Sequence, residues 1–142
     1  GRFALADDSG LCVEALQGKP GIFSSRFAGE NATDEERCQK LLRQLQGIPL
    51  TKRKAAFICA IAIASPQGKV QVVEGKCSGL ISLSPRGTHG FGFDPIFLLP
   101  KLGKTMAELT PEEKNKISHR AHALRKIQKI LPAFLTSSCQ NK

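Results

Sequence analysis

The sequence predicts a single mixed α/β domain built on a long, twisted, partly antiparallel sheet flanked by helices. Three observations predict it. Strand-like apolar segments and helical segments alternate irregularly, without a βαβ rhythm. Two helices announce themselves by capping boxes. The 142 residues suffice for one sizeable core and show no break in composition.

Taken in order, Phe3 to Ala6 reads as a buried strand and Leu11 to Leu16 as a short second one, with a loop at Gly18, Pro20 and Gly21. Thr33 to Gln46 is a predicted helix. Thr33 and Glu36 form its capping box, Cys38, Leu41, Leu42 and Leu45 share one face, and Gly47 and Pro49 end it. Ala55 to Ser65 is a long strand. Phe57, Cys59, Ile61 and Ile63 point one way, and Ile58, Ala60, Ala62 and Ala64 form a small-residue face open to close approach by a helix. After a turn at Pro66-Gln67-Gly68, Val70 to Glu74 returns antiparallel, and Ser78 to Leu83 continues as strand. The glycines of Pro85 to Pro95 demand a loop, Ile96 to Leu99 is a strand, and Thr105 to Leu109 is one helical turn. Thr110 to Leu131 is helical, with Thr110 and Glu113 as capping box, Pro111 at the first position, and Ile117, Ala121, Leu124, Ile127 and Leu131 as apolar stripe. The domain is expected over residues 1–135, followed by a frayed polar tail at 136–142.

With 41% hydrophobic and 23% charged residues, the chain is neither disordered nor membrane-spanning, since its longest apolar run, Ala55 to Ala64, is too short for a bilayer. Five scattered cysteines without a C-x-x-C pair argue against a disulfide framework or zinc site and for buried thiols in a cytoplasmic protein. The formal charge of +9, from 21 basic and 12 acidic residues, favours an anionic partner. The basic residues are dispersed and lack aromatic interleaving, which suits a small anion better than a nucleic acid.

Three clusters carry candidate chemistry. Leu5-Ala6-Asp7-Asp8-Ser9-Gly10 ends an apolar run in two carboxylates, a hydroxyl and a glycine. A carboxylate there can hold Mg²⁺ and place a water for attack on phosphorus, with Asp8 the candidate metal ligand and general base. An Asx-turn explains the same residues without chemistry. In Gly90-Phe91-Gly92-Phe93-Asp94-Pro95 the glycines admit a ligand to the backbone. Phe93 offers a face for stacking, and Asp94 can accept from a ring N–H. A tight hairpin with both aromatics in the core is the equal alternative. Lys114, Ser118, His119 and Arg120 supply donors for phosphate or carbonyl oxygen, against the alternative of a solvated basic helix face. At about 100° per residue, Lys114, His119 and Arg120 do not share one face of an unbroken helix. Either the helix breaks near Ile117-Ser118, with Ser118 capping a new segment, or the three reach different parts of a ligand. Arg26 is a further candidate anion contact, equally readable as a structural loop residue.

In order, A-D-D-S-G-L, G-K-P-G-I-F-S-S-R-F-A-G, P-R-G-T-H-G-F-G-F-D-P-I-F and E-L-T-P-E-E-K-N-K-I-S-H-R resemble the inosine-triphosphate pyrophosphatase family, the XTP/dITP diphosphatases, from Ala4 to about Leu131. The resemblance implies Mg²⁺-dependent hydrolysis of deaminated purine nucleoside triphosphates to monophosphate and pyrophosphate. It implies Asp8 as general base and metal-linked carboxylate, and Ser9 as a substrate contact. Phe91, Gly92, Phe93 and Asp94 match the base-binding segment, with Phe93 where the family often has Tyr. Lys114 matches a phosphate or sugar contact, and His119 and Arg120 the residues that read a 6-keto purine. It implies a homodimer as well. The family's opening strand, its T/S-x-N-x-x-K phosphate loop and a helix with a further metal-binding carboxylate have no counterpart here, and His89 stands where a glycine is usual. The expectation is an N-terminally truncated domain, with a non-catalytic nucleotide-binding fragment as the alternative and a basic nucleic-acid binder as the third reading.

Overall fold

The computed structural model describes residues 2–139 and the side chains of residues 2–137. It contains six strands, β1 (Ala4–Val13), β2 (Pro20–Gly21), β3 (Lys54–Ala64), β4 (Val70–Ile81), β5 (Phe97–Leu99) and β6 (Lys104–Thr105). Three α-helices accompany them, α1 (Asp34–Gln44), α2 (Pro111–Ile117) and α3 (His119–Cys139). The strands form one sheet in the order β2-β1-β3-β4-β5-β6, and every described pairing is antiparallel.

The mixed α/β architecture is as expected, but the two segments read as separate strands around Asp7-Asp8-Ser9-Gly10 are one. Asp7 to Gly10 lie in the middle of β1, paired in register with Ile61 to Ile58 of β3. Ten consecutive pairs hold this polar stretch extended, so neither a strand end nor an Asx-turn forms. The opening of β1 is not buried either: Leu5 is 57% exposed. Glu14–Leu16 turn as a 3₁₀ segment. Val70 to Ile81 is likewise one strand rather than two.

Alternation puts odd-numbered residues of β1 and β3 on one face, and among the described residues the buried clusters lie on that face. At one end Leu11, Val13, Phe57, Cys77 and Ile81 pack with Cys38 and Leu41 of α1, with Leu45 just after it, and with Phe93, Ile96 and Phe97. At the other, Cys59, Ile61 and Ile63 pack with Ala123, Ile127 and Phe134 of α3. The small-residue face of β3 was expected to receive a helix. Instead α3 lies on the opposite face and makes its close approach at Gly75 of β4, where a Cβ would overlap the carbonyl oxygen of His119 and the backbone nitrogen of Ala123. Leu124, expected in the apolar stripe, is 42% exposed.

Both capping boxes form. Thr33 Oγ1 accepts from Glu36 N–H and Thr110 Oγ1 from Glu113 N–H. The helix after Thr110 breaks at Ser118, whose backbone is extended (φ −66°, ψ 155°) and whose Oγ accepts from Ala121 N–H at 3.1 Å. Ser118 therefore caps α3 and turns His119 and Arg120 away from the axis of α2. Residues 136–139 of the expected frayed tail continue α3, and 140–142 lie outside the described residues. No helix among the described residues is long and apolar enough to cross a membrane.

Candidate active site

Between the two covers of the sheet lies a cavity of about 690 Å³. Ser9, Leu11 and Phe57 form its floor, α1 contributes Asp34 and Arg37, the glycine loop contributes Phe91 to Asp94, and α2 and α3 contribute Lys114, His119 and Arg120. Eight of the nine sequence-derived site residues thus line one space. They arrive from four parts of the chain because β1 and β3 pair along their whole length and Ser118 reverses the helix beside them.

Asp8 is the exception. Strand alternation places it on the face opposite Ser9, where it is exposed and its Oδ1 accepts from Ser9 N–H at 2.9 Å. On that face its neighbour across β3 is Ala60, and beyond it Glu74, about 10 Å away at two strand spacings. No three His, Cys, Asp or Glu side chains among the described residues are grouped to hold a metal ion. Asp7 is on the cavity face and accepts from Arg120 Nε at 2.8 Å.

The glycine loop resolves its two aromatics differently. Phe93 is 3% exposed, packed edge-to-face on Phe27 at 6.1 Å between ring centres. Its ring belongs to the core, so the open stacking face assigned to it is absent. Phe91 is 61% exposed, with Lys114 Nζ 4.7 Å and Arg120 Cζ 6.0 Å from its ring centre. Asp94 is buried, accepts from Phe91 N–H at 3.0 Å and is ion-paired with Lys114. Gly90 (φ +79°) permits this, because a Cβ there would overlap the Asp94 carboxylate. The carboxylate considered as an acceptor for a ring N–H is thus already engaged by Lys114.

His119 is 6% exposed and stacks on Phe57, with ring centres 4.8 Å apart at 18°. Burial, reinforced by the Arg120 and Lys114 charges, pushes its pKa down to about 4, so the ring is neutral near pH 7. Its Nδ1 is buried without a hydrogen-bond partner, as is Ser9 Oγ. Buried polar atoms are normally satisfied, so two orphans beside one cavity mark where a ligand's polar groups belong.

Sequence reasoning missed Asp34 and Arg37. Asp34 Oδ2 accepts from Gly92 N–H at 2.6 Å, and its Oδ1 pairs with Arg37 at 3.2 Å. Nothing local signals a contact 58 positions away. Arg26 stacks over Phe23 and is absent from the cavity wall, while His89 Nδ1 lies 3.0 Å from Leu109 O. Buried Arg53, by contrast, is structural, donating to the carbonyls of Leu45, Ile48 and Ser82. Cys12, Cys38, Cys59 and Cys77 are free thiols.

Fold and cavity define a single-sheet α/β protein with a cationic, aromatic-walled cleft beside buried, unpaired polar atoms. Comparison with known proteins gives the particular relationship: the chain belongs to the Ham1 family, whose model matches residues 1–130. It is 57% identical over 130 residues to a dITP/XTP pyrophosphatase of Halalkalibacterium halodurans, covering 92% of this chain and 67% of that protein. It is 49% identical over 132 residues to the dITP/XTP pyrophosphatase of Bacillus subtilis, covering 93% and 67%. The solved Ham1 protein of Staphylococcus aureus superposes with a TM-score of 0.88 at 47% identity, over 93% of this chain and 68% of that one. The chain spans 61% to 67% of the length of the curated relatives it matches.

Proposed function

We propose that this chain hydrolyses the triphosphates of deaminated purines, ITP, dITP and XTP, to the monophosphate and pyrophosphate. The observation that carries the proposal is the neutral His119 with its unpaired Nδ1, set beside Arg120 and Lys114 in a cavity of nucleotide size. The names of the similar pyrophosphatases support it.

The chemistry follows from the donors present. The guanidinium of Arg120, held by Asp7, offers N–H groups to a 6-keto oxygen. Adenine, with an amino group at that position, would leave those donors unpaired, a penalty that separates substrates. The Nδ1 of His119 donates or accepts according to its tautomer, and Ser9 Oγ is free to bond the ligand. Phe91 supplies the exposed ring against which a base can lie. Lys114, shared with Asp94, presents cationic charge to the sugar-phosphate part.

Asp8 is the proposed general base. It adjoins Ser9 on β1, whose outer edge from Ala4 to Gly10 is unpaired among the described residues, since β2 meets only Leu11 and Cys12. Phosphates passing Ser9 therefore reach Asp8 around the strand edge. There Asp8 takes the proton of the water that attacks phosphorus, and the bond to the leaving pyrophosphate breaks. Asp8 is the carboxylate that would hold a Mg²⁺ ion. Bound there, the ion would neutralise phosphate charge and acidify a water. A homodimer working in the cytoplasm completes the proposal.

A second reading, nucleotide binding without hydrolysis, is favoured by the orientation of Asp8 away from the cavity. Pyrophosphate release and ITP binding by the wild type and Asp8→Asn decide between them. The proposal predicts release that falls about 10²-fold or more in Asp8→Asn, with ITP affinity kept. Full turnover in Asp8→Asn removes Asp8 from the mechanism. Binding of ITP without release by the wild type establishes the second reading.

A further inference from the structure

A carboxylate in the wall of a cavity meant for a triphosphate is electrostatically misplaced unless it has other work. Asp34 is such a carboxylate. Its charge is balanced locally by Arg37, and its remaining oxygen is spent on the Gly92 amide. The helix dipole favours an acid at the start of α1 but does not require one that reaches the loop.

The loop needs holding. Gly90 and Gly92 both have positive φ, +79° and +62°, and glycines there leave the Phe91–Gly92 peptide free to rotate. Two bonds from α1 restrain it. Asp34 Oδ2 accepts from Gly92 N–H, and Cys38 Sγ lies 3.4 Å from Gly92 O as donor. Asp34 and Cys38 are four residues apart, so one face of α1 grips both sides of Gly92. From the core side, Asp94 accepts from Phe91 N–H. Between these restraints the Phe91 ring is presented to the cavity.

We propose that Asp34 is a positioning residue that clamps the Gly92 peptide and thereby sets the Phe91 ring for the purine. The proposal rests on the nucleotide reading given above for its ligand, and on the Asp34–Gly92 bond alone for its geometry. Because the bond is charge-assisted, its loss is felt. Asparagine keeps the acceptor and gives up the charge, whereas alanine loses both.

The test compares wild type, Asp34→Ala and Asp34→Asn by two measurements: hydrogen exchange at the Gly92 amide and ITP affinity. Exchange needs no ligand. In Asp34→Ala, Gly92 exchange rises and ITP affinity falls, each about tenfold, in a chain still folded by circular dichroism. Asp34→Asn stays within about threefold of wild type in both, as expected for a retained acceptor. Wild-type values for both quantities in Asp34→Ala overturn the clamp. So does an Asp34→Asn as weak as Asp34→Ala with Gly92 still protected, because the Arg37 pair would then be the operative contact. A wild type that does not bind ITP refutes the substrate reading before any variant is compared, and Gly92 exchange still decides the clamp.

Discussion

Burial and two neighbouring cations hold the His119 imidazole uncharged, and this has a thermodynamic consequence. Its folded pKa of about 4 lies below the ordinary 6.5, so between these values the unfolded chain binds the extra proton. Stability is undiminished by this group above about pH 6.5 and declines as pH falls toward 4. Replacing His119 with Gln removes the titration. Urea unfolding should show the wild type losing about 2 kcal/mol more than His119→Gln between pH 7 and pH 5, and equal losses would mean that the ring is hydrated. The Asp94 carboxylate is buried against Lys114 and the Phe91 amide, so Asp94→Ala strands a cation and an N–H together. The expected cost is about 3 kcal/mol in urea unfolding. A cost below 1 kcal/mol would mean that the loop relaxes freely around the vacancy.

At the scale of elements, the contact between α3 and β4 fixes where His119 and Arg120 stand. Gly75 lets the helix backbone lie directly on the strand. Gly75→Ala must push α3 away, which costs about 3 kcal/mol and carries His119 and Arg120 outward. Thermal unfolding and ITP affinity should fall together, and an unchanged affinity would detach recognition from helix position. Ser118→Ala removes the cap of α3 for about 1 kcal/mol. These features differ in how far the sequence discloses them. Capping boxes at Thr33/Glu36 and Thr110/Glu113 are legible because both partners lie three residues apart. The break at Ser118 is legible as one of two alternatives, because helical geometry separates Lys114 from His119 and Arg120. Gly75 is not legible, since only the helix above it shows why a strand of twelve residues carries a glycine there.

At the scale of the molecule, the long register between β1 and β3 decides what local composition cannot. Asp-Asp-Ser-Gly has the composition of a turn, yet ten consecutive pairs with β3 hold it extended and send Asp7 and Asp8 to opposite faces. The Asp34–Gly92 contact was invisible for the same reason, joining positions that only the assembled cavity brings together. Likewise, which of Phe91 and Phe93 enters the core depends on Phe27, far off in the chain. Mixed α/β class, the main helices and the set of residues around the cavity were legible from motif order. The side of the sheet each residue faces was not. Among the described residues the sheet carries buried clusters on one face, with Lys114, His119 and Arg120 lining the cavity beside them. The activity proposed for this chain is selective for a keto purine triphosphate. The direct test is pyrophosphate release by this chain from ITP and from ATP, each with and without Mg²⁺. The expected result is Mg²⁺-dependent release from ITP at least about 10²-fold faster than from ATP. Equal release from the two nucleotides, or none from either by the folded chain, would contradict it.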